Sequence, residues 1–388
     1  MRPTSSATLD PSSRPRTTPP GDPRVTTLSR EAHLAHLDAH GNAGFLQYPS
    51  WARVKDRWHG ESIGWLDADD RVVGSALVLY RKMPKVPYRF AYLGGGPVID
   101  WADHDFERHL APLIELMRKR HVATVRIGPP LGHRRWHAQT VKEAVKLGLG
   151  HLDRVTADEI DPLGFAVARR LAESGWRRVV DDVHTQPLFA FEVPLAGRTL
   201  DDVAAAFNQE WRRGITKAAK AGVDITLGSA ADLSRFHDLL MITEKRNGFR
   251  LGREPDYWRR QFAALNEERA DRMRLYLAHH GDVLLAAHTR IAAGTRTWYH
   301  TGASADENRG VRPSHALQWH MIRDAHAEGA TVHDMRLVDP VIDADDRRFG
   351  VLRWKLGTGG RVVENLGEWE YPVLPNVDRA HRAYRALR

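Results

Sequence analysis

One order of elements, met twice along the chain, constrains the fold more than any other feature of the sequence. Apolar residues recurring three and four apart mark helices, and alternating apolar and polar residues mark strands. In the first half, residues 29–40 and 45–58 read as a helix pair, with Ser29 as a cap and Pro49-Ser50 opening the second helix. Strands follow over 62–67 and 71–81, joined by an Asp-Ala-Asp-Asp turn, and a third over 90–92 runs into Gly94-Gly95-Gly96-Pro97. A helix over 104–120, with Phe106, Leu110, Leu113, Ile114 and Met117 on one face, leads to a strand over 123–127. After a helix over 162–174, a strand over 188–193 and a helical stretch over 199–221, the order returns. A strand over 224–227 precedes helices over 230–246 and 256–269. A three-strand meander follows over 273–279, 283–292 and 295–302. A helix over 312–328, a strand over 331–335 and a short element over 352–356 complete the series.

This repeat predicts an α/β protein with mixed sheets, built as two tandem domains with a ligand groove between them. The 388 residues suit two domains at roughly 100–200 residues each. Residues 1–28, with six prolines, read as a disordered N-terminal tail. The first domain is expected over 29–165, completed by about 366–388, and the second over 166–365.

The residue types narrow the chemistry. Without cysteine the chain has no disulfides, thiolate metal sites or cysteine nucleophile. No P-loop, no G-x-S-x-G elbow and no H-E-x-x-H is present, and after the glycines at 94–96 comes Pro97, with no helix opening there. His279-His280 and His315 with His320 lack carboxylates at ligand spacing, so no metal is expected. No apolar run is long enough to span a bilayer and no secretory signal is visible, so the expected location is cytoplasmic, with peripheral contact at a membrane surface open. Of the 57 basic residues 47 are arginine, giving a net charge of +8. Codon bias in a GC-rich genome and a polyanionic partner both account for that excess.

Seven local signatures occur in order. They begin with Phe45-Leu46-Gln47-Tyr48-Pro49-Ser50-Trp51 running on to Lys55, and with the strand end from Tyr92 to Val98. Trp211-Arg212-Arg213-Gly214-Ile215-Thr216-Lys217-Ala218 runs on to Gly222-Val223. Thr243-Glu244-Lys245-Arg246-Asn247-Gly248-Phe249 and a helix with Leu317, Trp319 and Ile322 come next. Gly350 to Gly360, around Trp354-Lys355, and Gly367 to Val373 close the series. Together, over about 45–373, they resemble the FemABX family of aminoacyl-tRNA-dependent peptidyltransferases. The type is FemX-like, because no extended heptad arm lies between 201 and 272. Three segments depart from the family pattern: Gly94-Gly95 in place of Pro-Arg, Trp354 and Thr358 in place of Phe around Lys355, and Asp334-Met335-Arg336-Leu337 in place of D-x-x-G.

The resemblance implies two GNAT-like acyltransferase domains. It also implies transfer of an amino acid from aminoacyl-tRNA to an amine of a peptidoglycan precursor, UDP-linked or lipid-linked. An ester is already activated, so no cofactor and no ATP are needed. Lys355 is the implied catalytic residue, stabilising the oxyanion beside Gly357 and Gly359. Lys55 and Arg246, both expected on helices, are the implied phosphate ligands, with Trp51 a further substrate contact and Tyr299 a candidate for the acceptor cavity. Arg212, Arg213, Lys217 and Lys220 offer a basic helix face to tRNA phosphates, which also suits a merely solvated surface. Asp105, Asp334 and Glu368 are carboxylates to which no role as general base is assigned. Three alternatives stay open: a tRNA-dependent peptide-bond former in small-molecule biosynthesis or resistance, an acyl-CoA-dependent N-acyltransferase, and a non-catalytic binding protein.

Overall fold

The chain begins with β1 (Arg24–Thr27), α1 (Arg30–His40), α2 (Ser50–Val54), β2 (His59–Leu66), β3 (Val72–Lys82), β4 (Arg89–Leu93), α3 (Glu107–Lys119) and β5 (Val122–Ile127). Next come β6 (Gly132–His137), α4 (Ala138–Lys146), β7 (Glu159–Ile160), α5 (Pro162–Glu173), β8 (Arg177–Arg178), β9 (Phe189–Pro194), α6 (Leu200–Ala205) and α7 (Gln209–Lys220). The second series is β10 (Val223–Gly228), α8 (Leu233–Asn247), α9 (Pro255–Glu268), β11 (Met273–His280), β12 (Val283–Ala293), β13 (Arg296–Ser304), α10 (Pro313–Ala327) and β14 (Val332–Leu337). It ends with α11 (Phe349–Leu356), β15 (Arg361–Asn365), β16 (Trp369–Tyr371) and α12 (Pro375–Ala386). The structure, a computed structural model, describes residues 22–179, 185–346 and 348–386. Among these, no helix is long and apolar enough to cross a membrane.

Two sheets result, in the orders β1-β2-β3-β4-β5-β16-β8 and β10-β11-β12-β13-β14-β9-β15-β6-β7. Each contains the same device. An antiparallel meander ends on a strand that pairs in parallel with the strand after the next helix: β4 with β5, and β13 with β14. Parallel neighbours need a crossover, and α3 and α10 supply it. The apolar stripe of α3 buries Leu110, Leu113 and Met117 against the first sheet.

Several expectations change. Residues 24–27, expected within the tail, form β1 at the edge of the first sheet, with Val25 opposite Trp65. Residues 45–58 are not one helix. A 3-10 turn at Phe45–Gln47 precedes the short α2, and Lys55 is its C-cap residue rather than part of a helix. Pro49 has no N–H to continue a helix from the preceding turn. The stretch 199–221 divides because the Asn208 side chain accepts from the Trp211 amide and caps a new helix, α7. The expected boundary at 165/166 does not follow the sheets. β6 and β7 lie in the second sheet, while β8 lies in the first and α5 packs Val167 and Leu171 into the first sheet's core. Those assignments depend on distant partners, β15 for β6 and β16 for β8, and no local periodicity reveals them.

A single apolar cluster joins the halves. It packs Leu37, Phe45, Trp51 and Val54 against Phe236, Trp258, Leu275 and Trp298. At the same contact the Ser50 amide and hydroxyl donate to the Glu268 carboxylate at 2.9 and 2.6 Å. The relative placement of the two halves is thus fixed by shared packing.

Candidate active site

β13 and β14 pair only as far as Trp298 opposite Asp334, and then part. Past this fork the strands carry Tyr299 and His300 on one side and Met335, Arg336 and Leu337 on the other. Arg336 has φ of 64°, and the pairing of β14 with β9 is irregular between Asp334 and Leu337. A non-glycine residue in this region costs on the order of 1 kcal/mol and persists where its surroundings impose it.

Lys355 imposes it. From α11 its buried Nζ donates to the carbonyls of Met335 at 2.6 Å and Leu337 at 2.7 Å, and at 3.4 Å to that of Arg336. An ammonium has three donors and no acceptor, so all three point at the main chain where the strand partner is missing. Burial pulls its pKa down to about 7; Asp334 acts against that and Arg336 adds to it. Asp334 is itself buried, its carboxyl pushed up by desolvation and held 3.5 Å from Arg296.

The glycines after Lys355 make close contact with the protein itself. A Cβ on Gly357 would stand 2.1 Å from Cδ1 of Trp211, and one on Gly359 would stand 2.4 Å from the Ala206 carbonyl oxygen. They let α11 lie against α6 and α7, where the Trp211 indole donates to the Trp354 carbonyl at 2.6 Å. Tyr299, half-buried, packs its ring 4.9 Å from His288 and 6.4 Å from Trp354.

A second group faces the fork. Lys55 Nζ lies 5.3 Å from the Trp51 ring centre and 6.0 Å from that of Tyr257. Arg253 covers the same Tyr257 ring at 4.6 Å, and Arg336 lies 5.7 Å from Phe45. Among the described residues, neither the Lys55 nor the Arg336 side chain has a hydrogen bond or ion pair. Burial, then Arg253, lower the Lys55 pKa to about 8, with Asp56 opposing. His300 makes edge contacts with Phe45 and Trp51 and lies 2.9 Å from Nε2 of Gln261. Its pKa falls to about 3, first by burial and then through Arg336, Lys55 and Arg253. Three cations therefore converge on one neutral imidazole between aromatic walls.

On the first sheet, Gln47 pins the glycine-rich strand end: its amide donates to the Gly94 carbonyl at 2.7 Å and accepts from Leu77 N–H at 3.1 Å. Behind it the Tyr92 hydroxyl donates to fully buried Glu368 at 2.6 Å, and Arg126 pairs with both Glu368 and Glu370. Burial, reinforced by Glu368, keeps the Tyr92 hydroxyl protonated.

The expected site residues thus separate. Lys55 lies against the Trp51 and Tyr257 rings, Trp51 is buried in the shared apolar cluster, and Tyr299 and Lys355 stand at the fork. Arg246 is bound elsewhere: Nη1 donates to the carbonyls of Ser304 and Ala305 and to Asp306, and Nη2 to the Ser304 hydroxyl, at 2.7–3.2 Å. Arg212 folds back onto the carbonyls of Ala205 and Phe207. Arg213, Lys217 and Lys220 are exposed on α7, opposite its buried Trp211, Gly214 and Ala218, and pair with no carboxylate among the described residues. Arg253, Tyr257 and His300 are absent from the sequence reading, and no local pattern marks them. Arg336 is in view only as part of the departing segment 334–337.

The FemAB family profile matches residues 28–269, well over half of the chain, and that of an acetyltransferase (GNAT) domain matches residues 205–346. The chain belongs to the FemAB family, and its fold is a tandem pair of GNAT-like domains. A lipid II:glycine glycyltransferase of Staphylococcus saprophyticus is 23% identical over 406 aligned residues, spanning 89% of this chain and 92% of that protein. A protein of the same name from Staphylococcus aureus is 22% identical, spanning 89% and 91%. The crystal structure of FemX superposes with a TM-score of 0.76 at 20% identity, over 92% of this chain and 99% of that one.

Proposed function

We propose that this protein transfers an amino acid from aminoacyl-tRNA to an amine on the peptide stem of a lipid-linked, diphosphate-bearing cell-wall precursor. The observation that carries this reading is the convergence of Lys55, Arg253 and Arg336 beside the β13–β14 fork, in a chain whose relatives are lipid II glycyltransferases. Lys55 and Arg336 have no protein partner to give up before meeting phosphate, whereas Arg246 has four. The arginine grips phosphate through a planar fork and Lys55 acts as a point charge. The fork takes the aminoacyl ester. The acceptor nitrogen attacks the ester carbonyl, the bond to the tRNA ribose oxygen breaks, and the amine's proton leaves with that oxygen. Alignment of two bound substrates can lower such a barrier by about 7–11 kcal/mol, so positioning is the main demand on the site. Lys355 meets it by holding Met335–Leu337 apart from β13. The exposed cations of α7 contact tRNA backbone phosphates without reading sequence.

The test is transfer by purified protein from charged tRNAs to lipid-linked, UDP-linked and small amine acceptors. Transfer that survives RNase removes the tRNA donor. Arg336→Gln should raise KM for the diphosphate acceptor and leave KM for aminoacyl-tRNA unchanged. Equal change in both would remove the phosphate assignment.

A further inference from the structure

α8 ends at Asn247, and Gly248, at φ of 67°, turns the chain back on itself. Phe249 N–H then donates to the Glu244 carbonyl at 3.2 Å, and Leu251 N–H to the Glu244 carboxylate at 3.0 Å. Both backbones are anchored while both side chains face outward, 42% and 44% exposed. On the last turns of α8, Met241 and Ile242 are 49% and 38% exposed. Lys245 lies one turn beyond Met241 on the same face, and Arg250 and Arg253 alternate with the apolar loop residues; all three are exposed. Of the acidic groups nearby, Glu244 is buried under the loop and Asp306 is paired with Arg246, while Asp238 and Glu254 are exposed at the two ends of the segment, so the cations lie between them.

Scattered exposed apolar residues are ordinary on a protein surface. Four within one short segment, interleaved with three exposed cations, have the composition of a surface that lies on a charged bilayer. The segment also adjoins the site, because Arg253 covers the Tyr257 ring that Lys55 also approaches. We propose that residues 241–253 dock the face beside Lys55 on an anionic lipid surface, with Phe249 and Leu251 entering the headgroup region and Lys245 and Arg250 meeting lipid phosphates. This rests on the lipid-linked acceptor proposed above. The diphosphate of such an acceptor stays at headgroup level, and it reaches Lys55 only if this face reaches the bilayer.

Flotation of the full chain with vesicles reads this surface with no donor or acceptor present. Wild-type protein should float with phosphatidylglycerol–phosphatidylcholine vesicles, less with phosphatidylcholine alone, and less in high salt. Lys245→Ala/Arg250→Ala should bind anionic vesicles about thirtyfold more weakly, at about fivefold per charge removed. Phe249→Ser/Leu251→Ser should lose binding as well, and both variants should keep the wild-type melting temperature. Wild-type protein that does not float with anionic vesicles, or variants that float as it does, would overturn the proposal. So would variants that lose binding to tRNA while keeping flotation, since the patch would then be a nucleic-acid surface. In transfer assays both variants should act normally on a water-soluble short-chain diphosphate acceptor and fail on the vesicle-embedded one. Equal failure on both acceptors also overturns the docking role. Wild-type protein that transfers to neither acceptor removes the proposed function, and the flotation result stands apart from it.

Discussion

Lys55 and Lys355 both have pKa values drawn toward neutrality, and they differ in what surrounds the charge. Lys55 has aromatic rings and another cation around it and no acceptor, so its charge is available to a ligand and is lost above about pH 8. The kcat/KM for a diphosphate acceptor should therefore fall as pH rises through 8, and Lys55→Arg, charged at every accessible pH, should abolish that limb. A limb that persists in the variant would assign it to another group. Lys355 is surrounded by carbonyls that accept its N–H groups, while burial disfavours its charge. The unfolded chain keeps the proton to its ordinary 10.5, the folded chain only to about 7. Between those values the unfolded state binds more protons, so stability rises with pH across the window. Lys355→Met should flatten that rise in thermal melts taken from pH 7 to 10, and should lower kcat more than it raises KM. Both lysines are legible in the sequence as motif members. Their partners are not, because Met335 and Tyr257 sit far along the chain from the lysines they surround.

Among the elements, long periodic helices such as α3 and α9 can be read directly, since burying one face requires a repeating stripe. The failures occur where a single side chain overrides the stripe: Pro49 before α2, and Asn208 between α6 and α7. Arg246 shows the same limit within an element. The helix position is legible, but its direction toward the end of β13 is not. Arg246→Gln should lower the free energy of unfolding by about 2 kcal/mol in urea titration, the scale of hydrogen bonds to a charged group, and leave the acceptor KM nearly unchanged. A raised KM at unaltered stability would return Arg246 to the substrate. The glycines at 357 and 359 belong at this scale too. They are conspicuous in the sequence as a candidate substrate loop, and the structure fills the space beside them with Trp211 and the Ala206 carbonyl.

Over the whole molecule, the apolar cluster from Leu37 to Trp298 belongs to both halves at once. The two sheets should therefore unfold as one cooperative unit. Calorimetry should show a single transition, and Phe45→Ala, deleting a fully enclosed ring at the shared contact, should destabilise that transition by about 3–5 kcal/mol without dividing it. Two resolved transitions in wild-type protein would show that the halves are independent. The chain exchange between sheets acts in the same direction, since β6 and β8 each lie in the sheet that the expected boundary assigns to the other half.

By itself the sequence determined the repeated order of elements, the crossover helix in each half and the family motifs, because periodicity and turn chemistry are properties of neighbouring residues. Only the tertiary structure decided which charges act together. It withdrew Arg246 and Arg212 into backbone contacts, directed Lys355 to the open fork, and gathered Lys55, Arg253 and Arg336 around His300. Electrostatic coupling depends on distance through space and on burial, and neither can be read from separation along the chain.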